Sequence, residues 1–229
     1  MNEKKLKALT RRIEACRLCP RLVDWREQVA REKRAAFRNE EYWGKPVPGF
    51  GDPRARVLVV GLAPAAHGGN RTGRVFTGDR SGDWLYGALH RAGFANQPES
   101  KHRQDGLELR DCYISACVRC APPANKPTIE ERDACLPYLV DELRLLDSVR
   151  VLICLGSFAW EGALRVLKEL SSTGQQAKKP KFGHAAEAVL PPYMLVGSYH
   201  PSQQNTFTGK LTQPMFDAVF GRARELVGK

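Results

Sequence analysis

Four short apolar runs recur along the chain, and each is followed by a polar or Gly/Pro-rich loop and then by a segment with helical periodicity. The runs are 56–61, 112–117, 149–155 and 194–199. Runs of this length that are rich in β-branched residues are typical of strands buried on both faces. The segments with helical periodicity are 82–92, 128–146, 156–170 and 213–227. Because strands and helices alternate, the pattern predicts an α/β fold, a three-layer α/β/α arrangement around a parallel sheet.

The first 40 residues do not share this alternation. Residues 3–40 are predicted to be helical with a break near Cys19 and Pro20, and 41–55 to be a loop because Gly and Pro are frequent there. Residues 171–184 are polar and basic without periodicity, which predicts a surface loop. We find no internal repeat. The sequence therefore predicts one domain spanning 1–229, in which 1–40 form an N-terminal helical extension.

The net charge of the chain indicates which class of partner it binds. With 36 Lys+Arg against 25 Asp+Glu, the net charge is +11, which favours a polyanion, nucleic acid ahead of a membrane surface. Twelve basic and six acidic residues in 3–40 carry +6 of this charge, and we expect them to form a solvated face away from the catalytic one. No apolar run approaches the ~18 residues of a membrane span, and no apolar segment follows the N-terminal charges. The expectation is a cytoplasmic protein that does not bind membranes.

Seven cysteines in a chain without an export signal favour metal ligands or buried thiols over disulfides. Cys16 and Cys19 form one CxxC pair, and Cys117 and Cys120 form a second. The pairs are too far apart for a zinc ribbon, so a shared site must be closed by the fold. Thiolate ligands suit zinc and an iron–sulfur cluster equally well. Cys117 and Cys135 are both candidates for the fourth ligand.

Ligands of open parallel sheets bind at the carboxyl ends of the strands. The loops predicted to lie there are 62–80, 118–127, 156–158 and 199–209. The stretch 61–82 contains six glycines, which let a ligand approach the backbone closely, yet it matches neither the P-loop nor the GxGxxG pattern.

Four side chains in these loops are candidates for chemistry. Asp79 precedes a predicted helix, so it is either an N-cap or a catalytic carboxylate. Phe76 is either a core residue or a ring on which a base stacks. Asn125, between prolines, is either an ordinary turn residue or an oriented amide. His200 directly follows a buried strand and is expected to face the ligand.

Uncharged donors and acceptors follow His200, and they suit contacts to phosphates and base edges. The candidates for DNA binding in this loop are Ser202, Gln203, Gln204, Asn205, Thr206 and Lys210. In and beside the glycine-rich loop, Arg71, Arg74 and Arg80 are the expected phosphate contacts.

Together these segments resemble the uracil-DNA glycosylase superfamily, specifically its bacterial and archaeal family 5 (type B). The resemblance spans nearly the whole chain and is carried by RRIEACRLCPRLVDWRE, GLAPAAHGGNRTGRVFTGDRSGDWL, CVRCAPPANKP and HPSQQNTFTG. It implies a central four-stranded parallel sheet, a [4Fe–4S] cluster and removal of uracil from DNA. It also implies that the cluster ligands are Cys16, Cys19, Cys120 and Cys135, which leaves Cys117 as a structural thiol.

Two departures from better-known members matter. Where those members carry a polar catalytic residue, this chain has Leu62 and Ala63, and Ala116 replaces an Asn that reads uracil in family 4. The resemblance to family 5 shifts the catalytic work to Asp79, Asn125 and His200. It also implies a roomier pocket that accepts hypoxanthine. The residues predicted to contact the base are Gly61, Ala63, Phe76 and Ser157.

The implied reaction is hydrolysis of the N-glycosidic bond of a base flipped out of DNA, performed by a monomer. Asp79, or Asn125 through water, would position the nucleophile, and His200 would donate a hydrogen bond to the pyrimidine O2. Two rival functions remain at this stage. One is a non-catalytic, cysteine-metal nucleic-acid-binding module; the other is a magnesium-dependent phosphoesterase that uses Asp79.

Overall fold

A six-stranded mixed sheet forms the centre of the molecule, whose computed structural model describes residues 2–171 and 179–228. The strands are β1 (Phe50–Gly51), β2 (Val57–Gly61), β3 (Cys112–Ala116), β4 (Val151–Leu155), β5 (Glu187–Leu190) and β6 (Tyr193–Ser198). The helices are α1 (Asn2–Glu14), α2 (Pro20–Glu32), α3 (Gly69–Thr72), α4 (Arg80–Arg91), α5 (Ile129–Leu145), α6 (Ser157–Leu170), α7 (Gln203–Phe207) and α8 (Gln213–Gly228).

The strand order is β1-β3-β2-β4-β6-β5. The four inner strands are mutually parallel, with Val57 paired to Cys112 on one side and to Val151 on the other. The two edge strands run antiparallel to their neighbours. The predicted four-stranded parallel sheet is therefore confirmed as the centre of a larger sheet. The two edge strands were not predicted from the sequence, because one has only two residues and the other is largely exposed.

Alternate residues of β2 face two separate apolar cores. Val57 and Val59 point to one core, which the apolar faces of α4 and α8 cover. Leu58 and Val60 point to the other, which α1, α5 and α6 cover. The continuous apolar runs of the sequence reflect this burial on both faces, and the predicted three-layer architecture is confirmed.

The N-terminal extension lies on both a core and a loop of the sheet. In α1, Leu6, Leu9 and Ile13 are buried in the core that α5 and α6 share. The helix α2 begins at Pro20, where proline suits the first turn, and contacts the short helix α3 in the loop after β2. The extension therefore reaches from the back of the sheet to the loop that follows its first buried strand.

The predicted surface loop at 171–184 falls largely on 172–178, which lie outside the described residues. Among the helices of the described ranges, none has the length and apolar character needed to cross a membrane.

Candidate active site

A cleft of about 730 Å³ opens at the carboxyl edge of the sheet. The chain leaves β2 toward one face of the sheet and β4 toward the other, so this is the point at which open α/β sheets bind ligands. The loops after β2, β3 and β6 form the cleft, and residues of the N-terminal extension complete its wall. Asp79, Asn125 and His200, which are far apart in sequence, all line it.

The Asp79 side chain lies at the base of the cleft and is also the N-cap of α4. The Gly82 backbone N–H donates to Asp79 Oδ1 at 3.0 Å. The second oxygen approaches Gly68 so closely that a Cβ at this position would clash with it. Burial raises the pKa of Asp79 above its usual range, although the amides of Gly82 and Ser81 act in the opposite direction. The cap and the catalytic interpretation are thus compatible, because the side chain caps α4 and also lines the cleft.

His200 follows β6 and presents its ring to the cleft. Burial lowers its pKa to about 4, so the imidazole is neutral at physiological pH. The Asn205 side-chain amide donates to the His200 carbonyl at 2.9 Å and fixes the backbone that carries the ring. Within the described chain, no side chain or backbone group hydrogen-bonds the ring nitrogens. A neutral imidazole in this setting offers one N–H donor to a ligand.

Phe76 lies in the cleft beside His200, with ring centroids 6.0 Å apart and planes inclined by 33°. Its φ of 52° lies in the left-handed region, which a bulky residue rarely adopts. The ring covers the end of β2, where a Cβ at Gly61 would lie 2.7 Å from ring atoms. Backbone strain of this kind costs about 1–3 kcal/mol and clusters at functional sites. Phe76 is 8% exposed: most of its ring packs in the core that α4 and α8 cover, and the remainder lines the cleft.

Asn125 enters the cleft from the loop after β3. Its φ of 55° is left-handed, a conformation that Asn tolerates better than most residues. The Asn125 N–H donates to the Pro122 carbonyl at 3.2 Å and closes a short 3₁₀ turn, Pro123–Asn125. The side chain is exposed, so its amide is available to a ligand, and the 3₁₀ turn holds the backbone that carries it.

The loop after β6 contains a short helix that sequence inspection did not predict. Ser202 caps α7 by accepting from the Asn205 N–H at 3.3 Å, and Thr206 donates to the Gln203 carbonyl at 3.3 Å. Gln203 and Gln204 are exposed and line the cleft together with Ser202. Asn205 and Thr206 therefore brace the loop, while the two glutamines offer free amides.

Arg71 and Arg74 are placed inside the fold, which contradicts the prediction that they contact phosphates. Arg71 is buried, forms an ion pair with Glu40 and donates to the Gly78 carbonyl at 3.1 Å. Arg74 is only 3% exposed and forms a 2.6 Å ion pair with Asp105. Both guanidiniums shape the glycine-rich loop. Arg80, by contrast, is exposed at the rim of the cleft.

The other predicted contacts divide between the cleft and its surroundings. Ala63 lines the cleft, and Gly61 lies beneath Phe76. Ser157 is exposed at the start of α6 and is not among the residues that line the cleft. Lys210 is exposed, with its ammonium 5.0 Å from the Tyr199 ring centroid, and also lies outside the lining. The prediction that Ser157 touches the base does not fit this placement.

Among the residues that line the cleft, the sequence analysis did not single out Arg34, Phe37 and His67. Arg34 and Phe37 enter from the extension, whose charge was expected to lie away from the catalytic face, and that expectation was wrong for Arg34. The third is His67, whose Nδ1 lies 3.0 Å from the Tyr42 hydroxyl. Burial lowers the pKa of His67, and the charges of Arg34 and Arg71 add to this effect. Only the position of His67 in the glycine-rich loop could have singled it out.

Four cysteines line one small cavity between the extension and the sheet: Cys16, Cys19, Cys120 and Cys135. Cys117 is buried elsewhere, close to Gly162 of α6. Burial raises the pKa of Cys120 to about 12, and the charge of Arg26 acts in the opposite direction. Burial likewise raises the pKa of Cys135 to about 11, opposed by Arg119.

The cavity presents sulfur donors from both parts of the chain. Four thiols that line one cavity are the donor set that a thiolate-bound cluster takes. Buried arginines next to the cysteines would match the negative charge that such a group brings. Among residues 2–171 and 179–228, no three His, Cys, Asp or Glu side chains are grouped to hold a metal ion, so the cavity offers the donor set of a cluster but not a ready-made site for a single ion.

Comparison with known proteins assigns the family. A family model described as the uracil DNA glycosylase superfamily matches residues 48–224. The type-5 uracil-DNA glycosylase of Mycobacterium bovis is 56% identical over 218 residues, which cover 94% of this chain and 80% of that protein. The type-5 enzyme of Mycobacterium leprae is 54% identical over 222 residues, covering 96% and 95%. That of Thermus thermophilus is 52% identical over 222 residues, covering 96% and 98%. With its sheet, its cleft and these similarities, the chain belongs to the uracil-DNA glycosylase superfamily and, within it, to the type-5 enzymes.

Proposed function

We propose that the cleft removes uracil from DNA by hydrolysis and that Asp79, Asn125 and His200 perform the reaction. Family membership makes the chain a DNA-repair glycosylase, a hydrolase of N-glycosidic bonds. The observation that carries the assignment of residues is that these three side chains line one cleft, in which His200 also lies beside the Phe76 ring.

The base would enter the cleft after leaving the DNA stack. Phe76 then offers a flat surface, and stacking on an aromatic ring offsets part of the cost of unstacking a base. The lining near Leu62 and Ala63 is apolar, so it imposes few hydrogen-bonding demands on the base. A cleft of about 730 Å³ has room for a bicyclic base, which supports hypoxanthine as a second substrate.

His200 would stabilise the leaving group. When the bond between C1′ and the base nitrogen breaks, both electrons go to the base, and negative charge develops on the pyrimidine O2. A neutral imidazole N–H placed near that oxygen stabilises the developing anion, a contribution of about 3 kcal/mol for a comparable donor. The low pKa of His200 matters because it keeps the ring a hydrogen-bond donor rather than a proton donor.

Asp79 would act on the sugar side of the bond. Its carboxylate stabilises the oxocarbenium-like sugar by charge and positions the water that attacks C1′. Asn125, on its fixed turn, is the second group able to hold this water. The water oxygen bonds to C1′ and its proton goes to the anionic base, which leaves an abasic site and a free neutral base.

The DNA backbone would run along the rim of the cleft. Arg34 and Arg80 are exposed there and carry the positive charge that phosphates require. Gln203 and Gln204 offer donors and acceptors on the facing wall. We expect these four side chains to hold the strand around the flipped nucleotide.

A [4Fe–4S] cluster is the group that the four-cysteine cavity would hold. Cys16 and Cys19 from the extension and Cys120 and Cys135 from the sheet domain would be its ligands. The cluster would supply a covalent link between the two parts of the chain. Because Arg34 lies on the extension, that link also positions one wall of the cleft.

The proposal is tested on oligonucleotides that contain a single uracil, a single hypoxanthine or only normal bases. A glycosylase leaves strands that break at the modified position only after alkali. We expect alkali-labile sites with uracil and hypoxanthine and none with normal bases. Direct nicking would identify a phosphoesterase, and a mobility shift without base release would identify a binding module; either result would refute the proposal.

Location and assembly follow from the same proposal. Since the substrate is DNA, we place the protein in the cytoplasm, where bacterial and archaeal DNA lies. One chain supplies every residue of the proposed site, as a monomeric enzyme requires.

A further inference from the structure

A buried arginine of α2 contacts the four-cysteine cavity. Arg26 is 2% exposed, and one terminal nitrogen of its guanidinium lies 3.7 Å from Cys120 Sγ. The other terminal nitrogen donates to the Cys16 carbonyl at 3.4 Å. One side chain therefore contacts a cysteine of the sheet domain and the backbone of a cysteine of the extension.

The charge of Arg26 is poorly compensated by protein groups. Its nearest carboxylate oxygen, on Glu27, is 3.6 Å away, and Glu27 is held by two hydrogen bonds from Arg17 at 2.5 and 3.3 Å. Within the described ranges of the chain, Arg26 Nε has no hydrogen-bond partner. A buried charge is costly unless it is paired. The site therefore calls for negative charge on a group beside Arg26.

A second buried arginine provides the contrast. Arg119 lines the same cavity and is 1% exposed, yet it forms a 2.5 Å ion pair with Glu142, which is equally buried. The charge of Arg119 is therefore paired with a buried carboxylate, although its Nε and one terminal nitrogen also have no hydrogen-bond partner among the described residues. Arg26 has no such buried carboxylate beside it in the described part of the chain.

We propose that Arg26 is the counter-charge of the thiolate-bound cluster and donates a hydrogen bond to the Cys120 sulfur. The inference rests on the cluster of the proposed function. Hydrogen bonds and positive charge next to cluster sulfurs stabilise the more reduced state and raise its reduction potential. Groups that support metal ligands in this way also strengthen metal retention, by about 10- to 100-fold. Arg26 is thus a positioning residue and not a ligand.

The test compares Arg26→Gln and Arg26→Lys with the wild type under air. The readouts are iron content, the rate at which the cluster absorption at about 400 nm is lost, and the midpoint potential. We expect Arg26→Gln to lose the absorption at least ~10-fold faster and to have a lower potential. Arg26→Lys keeps the charge but cannot reach both partners, so intermediate values are expected. Arg31→Gln, which changes an exposed arginine of the same helix α2, is the matched control and should match the wild type.

Each outcome bears on a separate claim. Wild-type protein without iron refutes both the cluster and this inference. Wild-type protein with a cluster, together with an Arg26→Gln variant of unchanged loss rate and potential, refutes the inference alone. Should Arg26→Gln not fold, Arg26→Lys decides, and values equal to the wild type contradict the role of Arg26.

Discussion

The Asp79 carboxylate has two oxygens in two environments, which allows one residue to cap a helix and to serve in the proposed chemistry. Oδ1 accepts from the Gly82 N–H and fixes the start of α4, while the side chain as a whole faces the cleft. Because the protein surrounds it, the charged form is disfavoured, and the pKa is raised. The residue keeps its cap and still brings a carboxylate to the site.

Replacing Asp79 by Asn separates these two roles. Asn retains a capping oxygen, so helix α4 should stay intact. A folded-state pKa above the unfolded value means that ionised Asp79 lowers the stability of the fold at neutral pH. We therefore expect the Asn variant to have an equal or higher Tm at pH 7 and uracil release slowed ~100- to ~10,000-fold. Calorimetry and single-turnover kinetics measure the two effects.

The control for this variant is Asp83→Asn, which changes an exposed acidic residue in the same first turn of α4. Its activity should equal that of the wild type. An Asp79→Asn enzyme with near-normal turnover would remove Asp79 from the mechanism.

The low pKa of His200 predicts a pH dependence of stability. Its pKa is about 4 in the folded state and about 6.5 in an unfolded chain, so protonation favours the unfolded state as the pH falls between these values. From pH 7 to pH 5, this group should lower the free energy of unfolding by about 2 kcal/mol. His200→Asn should lack that part of the dependence. Denaturation curves at both pH values test the prediction, and identical losses in the two proteins would contradict it.

At the residue scale, the sequence indicated Asp79, Asn125 and His200 because Asp79 precedes a helix, His200 follows a strand and Asn125 lies between prolines, all in loops at the expected ligand edge. It could not show that Arg74 faces inward. An arginine in a polar, glycine-rich loop has the same local pattern whether it meets phosphate or a distant carboxylate. Here the partner, Asp105, is 31 residues away in sequence.

The N-terminal extension is one of the elements that build the cleft, although its charged residues were predicted to form a solvated face away from it. The 3₁₀ turn Ala35–Phe37 and the preceding Arg34 reach the cleft because α2 packs beside α3. Asn70 of α3 secures this contact by donating from Nδ2 to the Arg26 carbonyl at 3.1 Å. The extension thus forms one wall of the site.

If Arg34 meets a phosphate, its loss should weaken DNA binding at low salt and reduce the salt dependence. Neutralising one phosphate contributes about 0.7–0.9 to the slope of log K against log salt concentration. We expect the slope of Arg34→Ala to be smaller by about that amount, measured by fluorescence anisotropy on a uracil-containing strand. Arg31→Ala, an equally exposed change on α2 outside the cleft, should keep the wild-type slope. Equal slopes for all three proteins would show that the extension does not contact DNA.

The buried Arg74–Asp105 ion pair holds the glycine-rich loop as an element. Removing one partner of such a pair leaves the other buried without compensation, at a cost of about 3–5 kcal/mol. Arg74→Met should lower the free energy of unfolding by that amount in urea denaturation. Arg54→Met, an exposed substitution, should change it little. An Arg74→Met protein of wild-type stability with weakened DNA binding would restore Arg74 as a phosphate contact.

Over the whole molecule, the alternation of apolar runs and helices was sufficient to predict the central parallel sheet and its helical layers. A strand that is buried on both faces has a continuous apolar run, and such a run can be recognised directly in the sequence. The position of the extension depends instead on contacts between residues that are distant in sequence, such as those of Arg26 and Asn70. Such contacts leave no local pattern in the sequence, so the wall of the cleft that the extension forms could not be predicted from it.

The central claim is that this cleft breaks the bond between uracil and its sugar. The measurement is the free uracil released in a single turnover from a uracil-containing single strand. It compares the wild type with a variant that combines Asp79→Asn, Asn125→Ala and His200→Ala. The account predicts one free uracil for each intact abasic strand from the wild type, and none from the variant although it still binds the strand. Release by the variant at the wild-type rate, or no release by the wild type, would contradict it.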